Sequence, residues 1–281
     1  EVHKNLDPSR VNHIILLTDG HTYGDEQECL RLARRAGKRQ VGISAFGLGH
    51  EWNDKFLDKL VAPSGGQSQY IENPDQIVKS LQRRIKGLGA LFAQNARFDA
   101  TLPDAVELKG AHKLEPFPQP LEVEDGAIPL GNIESTRPLT FLLELTLQPQ
   151  AATQRVTLPL VFTAELSSQA QRTITLKERF TLMVQQDAEK AQPPAEIVAA
   201  VRNLNLYRMN EKVWADVDEG ELARATKRMA HLTTRLLEAG ETQLAQQAQL
   251  ELERLNQGEA LSEEGRKRLK YGTRAIGQSA R

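Results

Sequence analysis

The spacing of apolar residues changes twice along the 281-residue chain, and this change constrains the fold more than any other feature. Up to about residue 92, continuous apolar runs such as HIILLTDG at 13–20 and VGISAFGLG at 41–49 alternate with stretches in which apolar residues recur every three or four positions. A continuous run is typical of a parallel strand covered on both faces, and the longer period indicates helices. Residues 1–92 are therefore predicted to form an α/β sheet.

From residue 93 to residue 187 the apolar period is two, which predicts strands. The clearest run alternates apolar positions with threonine, glutamate and glutamine, and its apolar members are Leu139, Phe141, Leu143, Leu145 and Leu147. Similar runs begin at Val156, Ile174 and Phe180, with turn residues between them. An antiparallel β-sandwich is the predicted structure of this segment.

From residue 194 to residue 281 the sequence predicts a helical region, entered through a polar linker that contains Pro193 and Pro194. Its apolar residues step by three and four on both sides of Gly240; they are Leu222, Ala225, Met229, Leu232 and Leu236, then Ala245, Ala248, Leu252 and Leu255. Two antiparallel helices packed along these stripes account for the pattern.

Composition excludes several classes of function. The 36 lysines and arginines against 37 acidic residues leave a net charge of −1, so a dedicated nucleic-acid binder is not expected. Cys29 is the only cysteine, which excludes a disulfide framework and favours a cytoplasmic location. The sequence contains no run of about 18 apolar residues, so no membrane segment is predicted. Because it does not begin with Met, we expect the true N-terminus to lie upstream.

Residues 10–90 resemble the second half of a bacterial von Willebrand factor A (VWA) domain. The resemblance rests on the order of RVNHIILLTDGHTYGDE, a helix, and ISAFGLGHEWNDKFLDKLVAPSGGQSQYIENPDQIVKSLQRRI. The following IPLGNIESTRPLTFLLEL is similar to the sandwich that trails some of these domains. On this resemblance the chain begins inside its α/β domain, since nothing before Val11 corresponds to the first strand, first helix and middle loop.

The resemblance implies a metal-ion-dependent adhesion site at the carboxyl edge of the sheet, holding Mg²⁺ or another divalent cation. The family builds it from a DxSxS motif, a Thr and an Asp at the end of the fourth strand, and only the last is present, as Asp19. Thr18 and Gly20 are implied as supporting residues, while His21, Asp25 and Glu26 lie near the expected rim. Asp25 and Glu26 are also explained by a favourable interaction with the dipole of the following helix.

The expected function is therefore a protein–protein interaction module that binds an acidic residue of a partner through a divalent cation, with a site that is incomplete in this chain. We expect no Mg²⁺ to be bound by these residues alone, because Mg²⁺ prefers six oxygen ligands. A metal-independent scaffold is the main alternative. A phosphatase is a weaker one, because LLTDGHT places Leu17 where the nucleophilic carboxylate must be. No enzymatic activity is predicted.

Other motifs have structural interpretations. Gly47 and Gly49 are predicted turn glycines, since Trp52 stands where a GxGxxG motif needs its third glycine. Cys29 lies on the apolar stripe of its helix and is expected to be buried. The basic cluster Arg83, Arg84 and Lys86 is expected on a solvated helix end. Unpaired strand edges and apolar faces predict self-association of the 281 residues.

Overall fold

The computed structural model describes residues 5–7, 10–21, 24–99, 101–115, 118–124, 126–151, 154–167, 173–185 and 192–276. A parallel α/β layer is followed by antiparallel sheets and then by a helical region, which confirms the predicted fold class. The chain divides into two compact units, one of residues 1–48 and 52–191 and the other of residues 192–281 together with 49–51.

The α/β layer is a three-stranded parallel sheet in the order β1-β2-β3. Its strands are β1 (His13–Thr18), β2 (Gly42–Leu48) and β3 (Gln67–Ile71), and its helices are α1 (Glu26–Lys38), α2 (Asp54–Val61) and α3 (Ile77–Gly89). Asn53 begins α2 by accepting a hydrogen bond from the amide of Phe56 at 2.9 Å. Short 3-10 turns at Ala62–Ser64 and Pro74–Gln76 precede β3 and α3. Gly49 has a positive φ of 61°, as a turn glycine does, whereas Gly47 lies inside β2 against the ring of Trp52.

The two neighbouring strands β1 and β2 differ in burial. Five consecutive residues of β2 are buried, from Ile43 to Gly47, whereas no residue of β1 is fully buried. Leu17 in β1 is 42% exposed. Within the part of the chain that the structure describes, β1 pairs with β2 alone, so its second edge and part of both faces are open.

Helix α3 exposes part of its apolar surface. Val78 and Ile85 are 62% and 61% exposed. The side of α3 that packs inward carries Ser80 and Arg84 instead, and the Arg84 side chain is only 11% exposed. The expectation that Arg84 is solvated is therefore wrong, because it reaches inward to Glu134 of the first antiparallel sheet.

The middle segment forms two antiparallel sheets with strand orders β10-β9-β4-β7 and β6-β5-β8. Their strands are β4 (Leu91–Asp99), β5 (Val106–Glu115), β6 (Gln119–Leu121), β7 (Ala127–Glu134), β8 (Thr140–Leu147), β9 (Arg155–Leu166) and β10 (Thr173–Met183). Side chains of both sheets share one core, which includes Phe98, Ala111 and Ile128. The alternating residues Phe141, Leu143 and Leu145 of β8 face this interior as predicted.

Strand β10 is less covered than its alternation predicts. Leu176 and Phe180 lie on the same face as the core residues of β9, but they are 58% and 54% exposed. A four-stranded sheet that faces a three-stranded one leaves one strand without a counterpart, and β10 is an edge strand.

The helical region contains α4 (Ala195–Asp218), α5 (Leu222–Glu238), α6 (Thr242–Asn256) and α7 (Glu263–Ala275). The predicted pair of packed helices corresponds to α5 and α6, and α4 and α7 complete the same core. The Ser262 hydroxyl begins α7 by accepting from the amide of Gly265 at 2.9 Å. Among the described residues, every helix is too short or too polar to cross a membrane.

Candidate functional site

The predicted metal residue Asp19 follows β1 directly at the carboxyl edge of the parallel sheet, and its side chain is exposed. The hydroxyl of the preceding Thr18 donates to the carbonyl oxygen of Gly20 at 3.2 Å, and the Gly20 amide approaches the same hydroxyl at 3.5 Å. Thr18 thus holds the loop around Asp19. A Cβ at position 20 would meet no atom within 4 Å, so the space around Gly20 does not require glycine.

The predicted rim residues are placed around the start of α1. Asp25 occupies the N-cap position without a side-chain capping bond, and Glu26 lies in the first helical turn. Both positions favour the interaction of a carboxylate with the helix dipole. His21 is exposed. Thr22, a further hydroxyl near the predicted site, lies outside the described residues.

The described residues do not assemble a metal site at this edge. Within the described ranges, no group of three or more His, Cys, Asp or Glu side chains is arranged to hold a metal ion. Asp19 supplies one carboxylate, whereas Mg²⁺ prefers six oxygen ligands in an octahedron. The residues present therefore do not fit the cation without ligands from elsewhere.

An apolar cleft of about 440 Å³ lies beside Asp19, which the sequence reasoning did not predict. One face of β1 and the facing sides of α1 and α2 line it, with Ile14, Leu16, Leu32, Phe56 and Leu60 among the apolar side chains. Cys29 lies in this cleft and is half-buried rather than fully buried. Burial and then Asp25 and other nearby carboxylates raise the pKa of the Cys29 thiol, which keeps it protonated and unreactive. The sequence pattern that could have predicted the cleft is that of β1, whose residues are apolar on both faces.

A second polar cluster lies at the opposite, amino edge of the parallel sheet, where His13 begins β1. The His13 Nε2 atom is 2.9 Å from the Ser44 hydroxyl and 3.4 Å from Nη2 of Arg84. Burial, followed by the charge of Arg84, lowers the pKa of His13 to about 3, so the imidazole is neutral. Position 42 must be glycine here, because a Cβ would lie 2.3 Å from His13 Nδ1.

Two antiparallel strands add charged side chains to this amino-edge cluster. Nη1 of Arg84 is 3.7 Å from the Glu134 carboxylate, whose side chain is 8% exposed. The Lys113 ammonium donates to the Gly65 carbonyl oxygen at 2.6 Å. Burial, followed by the charge of Arg84, lowers the pKa of Lys113 to about 7. Sequence reasoning missed the whole cluster, because its members come from β1, α3, β5 and β7 and share no motif.

The helical region matches a known protein family. Residues 195–279 match the Sll0103-like, C-terminal alpha-helical domain. Over 155 residues the chain is 30% identical to a Synechocystis protein described as "Uncharacterized protein sll0103". The match covers 52% of this chain but only 37% of that protein.

Comparison with solved structures shows the likeness of the fold. A von Willebrand factor type A structure from Catenulispora acidiphila superposes with a TM-score of 0.70 at 15% identity, covering 95% of this chain and 66% of that one. The ArnB paralog VWA2 from Sulfolobus acidocaldarius gives a TM-score of 0.48 at 14% identity, covering 94% and 63%. The superposition on the Catenulispora acidiphila structure shows that this chain has a VWA-like fold. The chain spans less than two thirds of the length of both structures.

Proposed function

We propose that this chain is part of a protein-interaction module of VWA type. The observation that carries the proposal is the exposed Asp19, which follows the first strand of a parallel sheet in a fold similar to a VWA structure. Open α/β sheets bind ligands beyond the carboxyl ends of their strands, which is where Asp19 lies. The exposed carboxylate and the loop held by Thr18 are what this chain contributes to such a contact.

The divalent cation is the conditional part of the proposal. Since the described residues offer one carboxylate at this edge, cation-dependent capture of an acidic partner residue requires ligands from another segment of the full-length protein. A cytoplasmic setting belongs to the same proposal and rests on the single cysteine.

A metal-independent scaffold is the second candidate, and the open apolar surface favours it. Leu17 of β1 and Val78 and Ile85 of α3 are more than 40% exposed on the α/β layer. Together with the open edge of β1, these exposed apolar side chains favour association with another protein or segment. In this alternative, binding depends on apolar burial and leaves Asp19 without a role.

Capture of binding proteins by the full-length protein, with and without EDTA, separates the two candidates. If the cation-dependent proposal is correct, EDTA and Asp19→Ala each remove the captured protein, and excess Mg²⁺ reverses the effect of EDTA. Asp104→Ala is the matched control, because it removes an exposed carboxylate from the loop between β4 and β5, away from the predicted site and its rim. Capture that survives both EDTA and Asp19→Ala favours the scaffold.

A further inference from the structure

Among the described residues, the amino-edge cluster contains a buried positive charge that no carboxylate balances. Glu134 lies beside Arg84, and the side chains of this pair are 8% and 11% exposed. Lys113 is 6% exposed, and the charged group that lowers its pKa is Arg84, which is another cation. A buried charge without an opposite partner costs several kcal/mol, so this arrangement calls for a compensating group.

The cluster also contains buried hydrogen-bond donors without acceptors. A guanidinium has donors only, so its approach to His13 Nε2 places the imidazole lone pair on Nε2 and the hydrogen on Nδ1. His13 Nδ1 and Arg84 Nε are both buried and have no hydrogen-bond partner. Lys113 uses one of its three ammonium hydrogens on the Gly65 carbonyl oxygen. The unmet need is for an acceptor. Loss of a proton from Lys113 would create one lone pair on Nζ, which could accept from at most one of the two unpaired donors.

These three side chains line one small cavity. Its volume is about 20 Å³, and His13, Arg84, Lys113, Gln67 and Glu134 are among the residues around it. A cavity of roughly 10–15 Å³ on this measure holds one water molecule, so this one admits a single particle of similar size. The tetrahedral oxyanions sulfate and phosphate are too large for it.

We propose that this cavity is a binding site for one monatomic anion of chloride size, held by Arg84, Lys113 and His13. The anion balances the Lys113 charge and accepts from donors that are otherwise unpaired. Because the cavity lies where His13 of β1 and Arg84 of α3 meet β5 and β7, the anion joins the α/β layer to the antiparallel sheets. It is distinct from the carboxyl edge that carries Asp19, and it does not depend on the proposed function.

Anion binding is linked to protonation of Lys113. The groups that face the cavity are His13 from β1, Arg84 from α3, Lys113 from β5 and Glu134 from β7. Burial and Arg84 lower the pKa of Lys113 to about 7 without an anion, and a bound anion raises it. Chloride should therefore bind more tightly at pH 6 than at pH 9.

The test measures the midpoint temperature of thermal unfolding of the full-length protein. Sodium gluconate is exchanged for sodium chloride at constant ionic strength. We expect a saturable rise of a few degrees in chloride or bromide at pH 6 and a smaller one at pH 9. Sulfate should give no saturable rise, only the gradual stabilisation that it gives to folded proteins in general. Lys113→Met should abolish the chloride response and should not lower the midpoint in gluconate, since it removes an unbalanced charge. Lys109→Met is the matched control, because Lys109 lies on the same strand and is exposed.

A crystal soaked in bromide supplies a readout that does not depend on stability. The expected result is an anomalous difference peak in the cavity of the wild-type protein and none in Lys113→Met. The proposal is overturned if wild-type stability does not respond to chloride, if Lys113→Met responds as Lys109→Met does, or if the cavity shows no bromide peak.

Discussion

The helical region and the α/β layer bury their apolar residues to different degrees. In the helical region Val213, Met229, Ala248 and Leu269 are completely buried, and they come from four different helices. In the α/β layer, β1 is as apolar as any of these helices but has no fully buried residue. An apolar pattern therefore predicts burial only when the elements that cover both of its sides are present.

The largest effect is expected on the oligomeric state, when the helical region alone is compared with the 281-residue chain. Residues 192–281 should give a monomeric, cooperatively unfolding helical protein, since α4 to α7 complete one core. The 281-residue chain should associate through the open side of β1 and the exposed Val78 and Ile85. Light scattering and gel filtration measure both states, and a monodisperse 281-residue monomer would contradict the comparison.

One large-to-small substitution in each region should show the difference in burial through the free energy of unfolding. Leu232→Ala removes a completely buried side chain from the helical core and should cost about 2–5 kcal/mol of unfolding free energy. Leu17→Ala makes the same chemical change at a 42% exposed position and should cost less than about 1 kcal/mol. Urea denaturation followed by circular dichroism gives both values. Equal costs would mean that β1 is covered in solution.

The amino-edge cluster should make the α/β layer sensitive to acid. The pKa of His13 is lowered to about 3 in the folded chain against 6.5 for an unperturbed histidine, so the unfolded chain binds more protons between these values. The stability that depends on neutral His13 is complete above pH 6.5 and decreases as the pH falls towards 3. The loss should be on the order of 3 kcal/mol by pH 4.

Comparison of His13→Gln with His231→Gln measures this contribution. His231 is exposed on α5, so its replacement should leave the pH dependence of unfolding unchanged. His13→Gln should flatten the dependence between pH 6.5 and 4. Parallel curves for the two variants would show that His13 is not neutral when folded.

The smallest effect on stability is expected at Asp19. Because its side chain is exposed beyond β1, Asp19→Ala should change the unfolding free energy by no more than about 0.5 kcal/mol. Calorimetry should detect no tight Mg²⁺ binding to the 281 residues. It should detect tight binding to a longer chain that contains the upstream segment, and Asp19→Ala should remove it. Tight binding to the shorter chain would mean that unrecognised ligands surround Asp19.

The sequence predicted the fold class well because its periods are long and local. It did not predict that Lys113 is buried, and the reason is a β-bulge. Pairing between β5 and β8 shifts at Lys109, so the inward positions change from Val106 and Leu108 to Ala111 and Lys113. A simple alternation through β5 would instead place His112 inside.

The polar clusters were harder to predict than the strands. Asp19 could be found because it directly follows a recognisable apolar run. Arg84 and Glu134 could not, since 50 positions separate them in sequence and only the packing of α3 against the sheet brings them together. At the end of an amphipathic helix, the sequence pattern is the same whether an arginine is solvated or buried.

The strand order of the larger antiparallel sheet has a consequence for protein synthesis. Strand β4 lies between β7 and β9, so a strand made early occupies the middle of a sheet whose other members emerge later. The ribosome must add the residues between Asp99 and Arg155 before β9 can begin to pair with β4. At typical elongation rates this interval lasts several seconds. During that time the nascent chain carries an apolar strand with an open side, and a chaperone that shields extended segments would help it to mature.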